Sequence, residues 1–92
     1  MPQFLIEVPH SAERLACAQV VQLFLAKGSH FLTNADWGCM DGIHSACFTV
    51  EAASKEEARL VVPPPFRSQA KIVGLNKFTM EQIESIIGQH KR

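Results

Sequence analysis

The sequence predicts an α+β fold in which strand, helix, strand, strand, helix and strand follow one another and a further helix closes the chain. Three observations carry that expectation. Phe4-Leu5-Ile6-Glu7-Val8 places Phe4, Ile6 and Val8 on one side of a strand and Leu5 and Glu7 on the other. Ser54 with Glu57, and Thr79 with Gln82, each match the capping box that opens a helix. Asp41-Gly42 is a turn signal between two stretches rich in apolar and β-branched residues.

Each element follows in order. Pro9 ends the first strand because it cannot donate to a ladder. Ser11 is expected to cap a helix reaching about Lys27, with Gly28 as its C′ residue. Cys17, Val20, Val21 and Phe24 form the apolar stripe of that helix, opposite Gln19 and Gln22. Residues 30–37 and 43–52 read as the two strands of a hairpin around Gly38-Cys39-Met40-Asp41-Gly42. A short helix starts at Ser54 and must stop at Pro63-Pro64-Pro65. Residues 71–77 read as the fourth strand. In the last helix Met80, Ile83, Ile86 and Ile87 make a stripe, with Phe78 and Ile83 placed as a hydrophobic staple. Right-handed crossovers in both strand–helix–strand units give a four-stranded antiparallel sheet with its helices on one face.

The order of elements resembles the ferredoxin-like, dimeric α/β-barrel superfamily, in which two open sheet faces meet to close a barrel. More loosely it is similar to small members of that fold, some nickel-binding and some of unknown function. The likeness is carried by Phe4-Leu5-Ile6-Glu7-Val8, Ala46-Cys47-Phe48-Thr49-Val50 and Ser54-Lys55-Glu56-Glu57-Ala58. It implies a ferredoxin-like βαββαβ sandwich with an added C-terminal helix, a homodimer and a cavity between sheets. It transfers no functional residue, because no metal-site motif aligns. The fold hosts oxygenases, isomerases and regulators, so it does not select a function.

Composition narrows the classes. The chain of 92 residues is expected to form one domain, residues 1–92, with 47% hydrophobic and 20% charged residues. A domain of this size buries roughly 60–65% of its unfolded surface, which makes a second subunit a natural source of further burial. Nine basic and nine acidic residues cancel, and no basic stripe appears, so nucleic acid is not an expected partner. No apolar run reaches the ~18–20 residues that span a bilayer, so a membrane is not expected either. Cys17, Cys39 and Cys47 are odd in number and form no CxxC pair. With no export signal, they read as reduced thiols in the cytoplasm.

The face of the sheet turned away from the helices is where a site is expected. If the hairpin uses a two- or four-residue loop, Phe31, Ala35, Trp37, Ala46, Phe48 and Val50 join Phe4, Ile6 and Val8 under the helices; a three-residue loop would reverse the parity. The other face then collects Glu7, His30, Leu32, Asn34, Asp36, Ser45, Cys47, Thr49 and Glu51. Glu7, His30 and Asp36 are candidate acid–base residues there, and Asn34, Cys47 and Thr49 candidate ligand contacts. Arg67 and Lys71 flank Ser68-Gln69-Ala70 and either bind a small anion or solvate a loop. Cys47 reads as a small apolar residue or as a nucleophile, the latter requiring a cationic neighbour.

Two metal constellations suggest themselves. His10, His30 and Glu51 are expected at one sheet edge, where nitrogen and oxygen ligands suit a divalent ion such as nickel or zinc. Cys39, Asp41 and His44 cluster along the hairpin, although turn geometry already explains Asp41-Gly42. The leading reading is a small dimeric α/β-barrel protein that binds a small ligand or metal ion at the open sheet face. A cofactor-free enzyme of the isomerase or monooxygenase type, acting on a small carbonyl or aromatic compound, is the first alternative. A structural or interaction module, with the last helix on a partner, is the second.

Overall fold

The alternation at the N-terminus produces β1, Gln3–Pro9, in a computed structural model that describes residues 1–26 and 29–90. Phe4, Ile6 and Val8 are buried, and Leu5 and Glu7 are half-buried on the opposite side. α1, Arg14–Ala26, comes next. Its cap is Glu13, whose carboxylate accepts from the amides of Leu15 at 3.1 Å and Ala16 at 2.7 Å. Ser11, expected in that role, accepts instead from the Glu13 amide. Val20 and Phe24 are the buried residues of the α1 stripe. The expected C′ glycine, Gly28, lies outside the described residues, as does the closing Lys91-Arg92.

Residues 30–37 do not form one strand. His30–Thr33 is a short helix, α2, and only Asp36–Trp37 pair as β2. A short apolar run fits either period, and burial decides this one: Leu32 points into the core at 4% exposure, not onto the open face. Asn34 closes the turn, its side-chain amide donating to the His30 carbonyl at 2.8 Å. Residues 38–44 form the loop to β3, with a 3₁₀ turn over Cys39–Asp41. Gly38 is needed for close approach, since a Cβ there would sit 2.7 Å from the Ile43 carbonyl oxygen. Gly42 has φ +82°, the left-handed region that glycine occupies without steric cost.

β3 is Ser45–Glu51, α3 is Lys55–Arg59, β4 is Lys71–Leu75 and α4 is Met80–His90. Both capping boxes close. Ser54 Oγ accepts from the Glu57 amide at 3.2 Å, while Glu57 reaches back to the Ala53 amide at 3.0 Å. The Thr79 amide donates to Gln82 Oε1 at 2.8 Å and the Gln82 amide to Thr79 Oγ1 at 3.2 Å. The prolines end α3 and enter a 3₁₀ turn, Pro64–Phe66.

The four strands form one antiparallel sheet in the order β2-β3-β1-β4. Asp36 pairs with Cys47 and Trp37 with Ala46, so the two-face sorting holds over these residues. One face carries Phe4, Ile6, Val8, Ala46, Phe48, Val50 and Ile72 into a core with Val20, Phe24, Leu32, Ala58 and Val62. Phe31, expected there, is exposed. The open face carries Glu7 between Cys47 on β3 and Lys71 on β4.

α4 buries none of its residues. Met80 is 71% exposed, and Ile86 and Ile87 are about half exposed, so their stripe is not packed on the sheet of its own chain. The Cα radius of gyration, 16.8 Å, exceeds the about 12 Å of a compact chain of this length. No helix among the described residues is long and apolar enough to cross a membrane.

Candidate metal centre

Four chain segments converge at one end of the sheet. His10 follows β1, and its backbone amide donates to the carbonyl of His44 at 3.0 Å, extending the β1–β3 contact by one step. His44 itself stands just before β3. Cys17 faces this point from the first half of α1, and Cys39 opens the 3₁₀ turn of the β2–β3 loop. The four side chains are half-buried, and one ligand atom from each lies within 4.8 Å of all the others. These residues could hold a metal ion.

The distances fit a tetrahedral ion. His10 Nε2 lies 3.3 Å from the sulfurs of both Cys17 and Cys39, and those sulfurs are 3.5 Å apart. Zinc bonds of about 2.3 Å to sulfur and about 2.0–2.1 Å to nitrogen give a tetrahedron with edges of roughly 3.4–3.8 Å. Three of the ligand atoms thus already stand within a few tenths of an ångström of one face of that tetrahedron. Nδ1 of His44 and Nδ1 of His10 are buried without a hydrogen-bond partner among the described residues. A buried nitrogen left unpaired is costly, and a metal bound to His44 would relieve that cost if Nδ1 is its ligand atom.

Aromatic packing fixes the first imidazole. The His10 ring meets Trp37 edge-on at 5.6 Å and His44 at 5.5 Å, and Trp37 in turn meets the fully buried Phe24 at 5.1 Å. The site is therefore tied to the core through one indole. Burial pushes the His10 imidazole below its ordinary pKa, opposed by the Val8 carbonyl and reinforced by His44. That favours the neutral imidazole, the form that ligates metal. Burial, and then Cys17 beside it, push the Cys39 thiol up, so metal binding here must displace a proton.

The expected set of His10, His30 and Glu51 is not brought together. β1 and β3 are antiparallel, so the end of β3 meets the start of β1: Glu51 pairs with Gln3, whereas Pro9 pairs with Ser45. Six strand positions separate the two ends, about 20 Å. Of that set His10 alone enters the cluster. Of the hairpin set Cys39 and His44 enter it and Asp41 does not. Cys17 is the cluster residue that sequence reasoning missed, because its position on the apolar stripe of α1 already accounted for it.

Some of the open-face candidates share a groove. His30, Asn34, Asp36, Cys47 and Thr49 line a groove of about 320 Å³ together with Leu5, Phe31 and Phe48. Glu7 stands across the strand from Cys47 and from Lys71. Burial, then the carboxylates of Glu7 and Asp36, push the Cys47 thiol up, which disfavours the nucleophilic thiolate. Arg67 lies elsewhere, with its guanidinium donating to the carbonyls of Val62 at 2.7 Å and Leu60 at 3.0 Å. It staples the turn after α3.

Comparison with protein-family models, with curated proteins and with solved structures gives no match to the chain.

Proposed function

We propose that this protein binds one divalent transition-metal ion through His10, Cys17, Cys39 and His44, and that zinc is the ion its donor set suits best. The observation that carries the reading is the near-equilateral arrangement of His10 Nε2 and the two sulfurs, whose spacings are those of a tetrahedral site. Two thiolates and two imidazoles favour a borderline-soft ion over magnesium or calcium. Nickel is disfavoured by tetrahedral placement, since with nitrogen ligands it tends to square-planar geometry. Four protein ligands close the coordination sphere, so the ion acts structurally by clamping the β2–β3 loop to α1 and β1. Cobalt titration of the reduced protein tests this. Tetrahedral thiolate coordination produces intense visible d–d bands and a near-ultraviolet charge-transfer band that zinc abolishes. Weak, octahedral-type spectra would refute it.

Around that site we favour a ferredoxin-like homodimer. The strand order β2-β3-β1-β4 supports the topology, and the uncovered Met80, Ile86 and Ile87 support a second copy as the partner of α4. An isolated helix of that length is marginal in water, so it needs a packing surface. Sedimentation equilibrium tests the dimer, and a monomer at micromolar concentration would remove it. Three free thiols suit a reducing compartment such as the cytoplasm.

The open-face groove supports a second, separate reading, a small-molecule site with Glu7, His30 and Asp36 as acid–base candidates. Screening small carbonyl and aromatic compounds by amide chemical-shift changes at Asn34, Cys47 and Thr49 tests it, and unchanged spectra would exclude it.

A further inference from the structure

The two sulfurs of the cluster belong to elements of different stiffness. Cys17 sits inside α1, where helical hydrogen bonds hold its backbone; its own amide donates to Glu13 at 2.8 Å. Cys39 sits on a loop bracketed by Gly38 and Gly42, next to Met40, whose side chain is fully exposed. Their sulfurs are 3.5 Å apart, although 22 positions separate them in sequence. A disulfide needs about 2.05 Å. Closing the remaining distance falls to the side chains and to the loop, the less constrained of the two elements.

We infer that Cys17 and Cys39 are a redox pair, and that their oxidation by a hydroperoxide ejects the metal and replaces it with a Cys17–Cys39 disulfide. The inference rests on the metal-binding reading. One thiolate attacks the terminal peroxide oxygen, the O–O bond breaks, and the sulfur becomes a sulfenic acid while the other oxygen leaves as an alcohol or as water after taking a proton from solvent. The second thiolate attacks that sulfur, the S–S bond forms, and the sulfenic oxygen leaves as water after taking a proton from solvent. Two sulfurs together lose two electrons and the peroxide gains them. Only the two imidazoles then remain as ligands, and they do not hold zinc as four groups do. Cleavage of the disulfide by a thiol restores the site.

Cys47 is the internal comparison. It lies on the open face of β3, paired with Glu7 and Asp36, and has no part in the cluster. The same chain thus carries two thiols whose sulfurs are 3.5 Å apart and a third outside that cluster.

The test uses reduced, untagged protein loaded with zinc and treated with stoichiometric hydrogen peroxide, alongside metal-free protein. Zinc release is followed with a chromogenic chelator and the covalent change by intact mass. Trypsin leaves Cys39 and Cys47 on one peptide, as no Lys or Arg lies between them, so Cys47→Ser is treated in parallel. The expected result in both proteins is loss of one zinc per chain, a mass decrease of two hydrogens, and a cross-link between the peptides carrying Cys17 and Cys39. Zinc uptake should return after reduction. Zinc retained under peroxide, or zinc lost with separately oxygenated cysteines and no cross-link, overturns the redox inference while leaving the metal reading intact. No zinc uptake by the reduced protein overturns both.

Discussion

The backbone amide of His10 donates to the carbonyl of His44 at 3.0 Å, joining the two imidazole-bearing residues one step beyond the last β1–β3 ladder pair, Pro9 and Ser45. The sheet itself therefore sets the spacing of the two histidines, and α1 and the β2–β3 loop need only bring the two sulfurs to them. Rigid elements make more accurate sites than loops do; of the four cluster residues Cys17 sits inside a helix, His10 and His44 flank strands, and Cys39 sits farthest from the sheet ladder, in the 3₁₀ turn of the β2–β3 loop.

Removing a ligand should separate this cluster from the other candidate residues. Cys39→Ser and His44→Ala are each expected to weaken zinc binding by more than the about 10–100-fold that loss of a supporting outer residue costs. His30→Ala and Glu51→Ala should leave affinity unchanged, because neither residue joins the cluster. Competition titration with a zinc chelator measures both outcomes.

The core connection through Trp37 makes a stability prediction. Phe24 is fully buried and packs edge-on against Trp37, Phe48 and Phe66. Phe24→Ala should cost about 3–5 kcal/mol, enough to unfold much of a marginally stable domain. Urea denaturation of the metal-free protein gives the number.

Glu13 gives the chain an acid-sensitive helix start. Hydrogen bonds from the amides of Ala16, then Leu15, hold its carboxyl below the usual range. A carboxylate depressed in the folded state adds stability above its unfolded pKa, and that stability is lost as pH falls through the folded value. Glu13→Gln should therefore lower the thermal midpoint at neutral pH and narrow the gap to wild type below about pH 4. Thermal melts of the two proteins from neutral to acid pH read this directly.

Cys47 should resist alkylation. Its thiol is pushed up by burial, by Glu7 and by Asp36, so its thiolate fraction at neutral pH falls below that of a free cysteine. Iodoacetamide should modify it slowly, and Glu7→Gln should speed the reaction several-fold by removing one of the two carboxylates. Equal rates in the two proteins would show that Glu7 does not act on this thiol.

What the sequence made legible was local. β1 and β3 follow from period-two burial of Phe4, Ile6, Val8, Ala46, Phe48 and Val50, and both capping boxes follow from reciprocal side-chain-to-backbone bonds over three residues. The 30–37 segment was not legible, because a run this short fits helix or strand and the burial of Leu32 settles it only in three dimensions. The metal cluster was half legible. His10, Cys39 and His44 stood out as ligand types, but their partners depend on register: antiparallel pairing sends Glu51 to the far end of β1. The fourth member of the cluster, Cys17, is brought to the others by the placement of α1, which no spacing along the chain encodes.

Native mass spectrometry of reduced, untagged protein mixed with equimolar zinc shows whether His10, Cys17, Cys39 and His44 hold an ion. One zinc per chain is expected, retained in the His30→Ala protein and lost in Cys17→Ser. A chain that remains metal-free, or one that binds zinc equally well without Cys17, would contradict the proposed site.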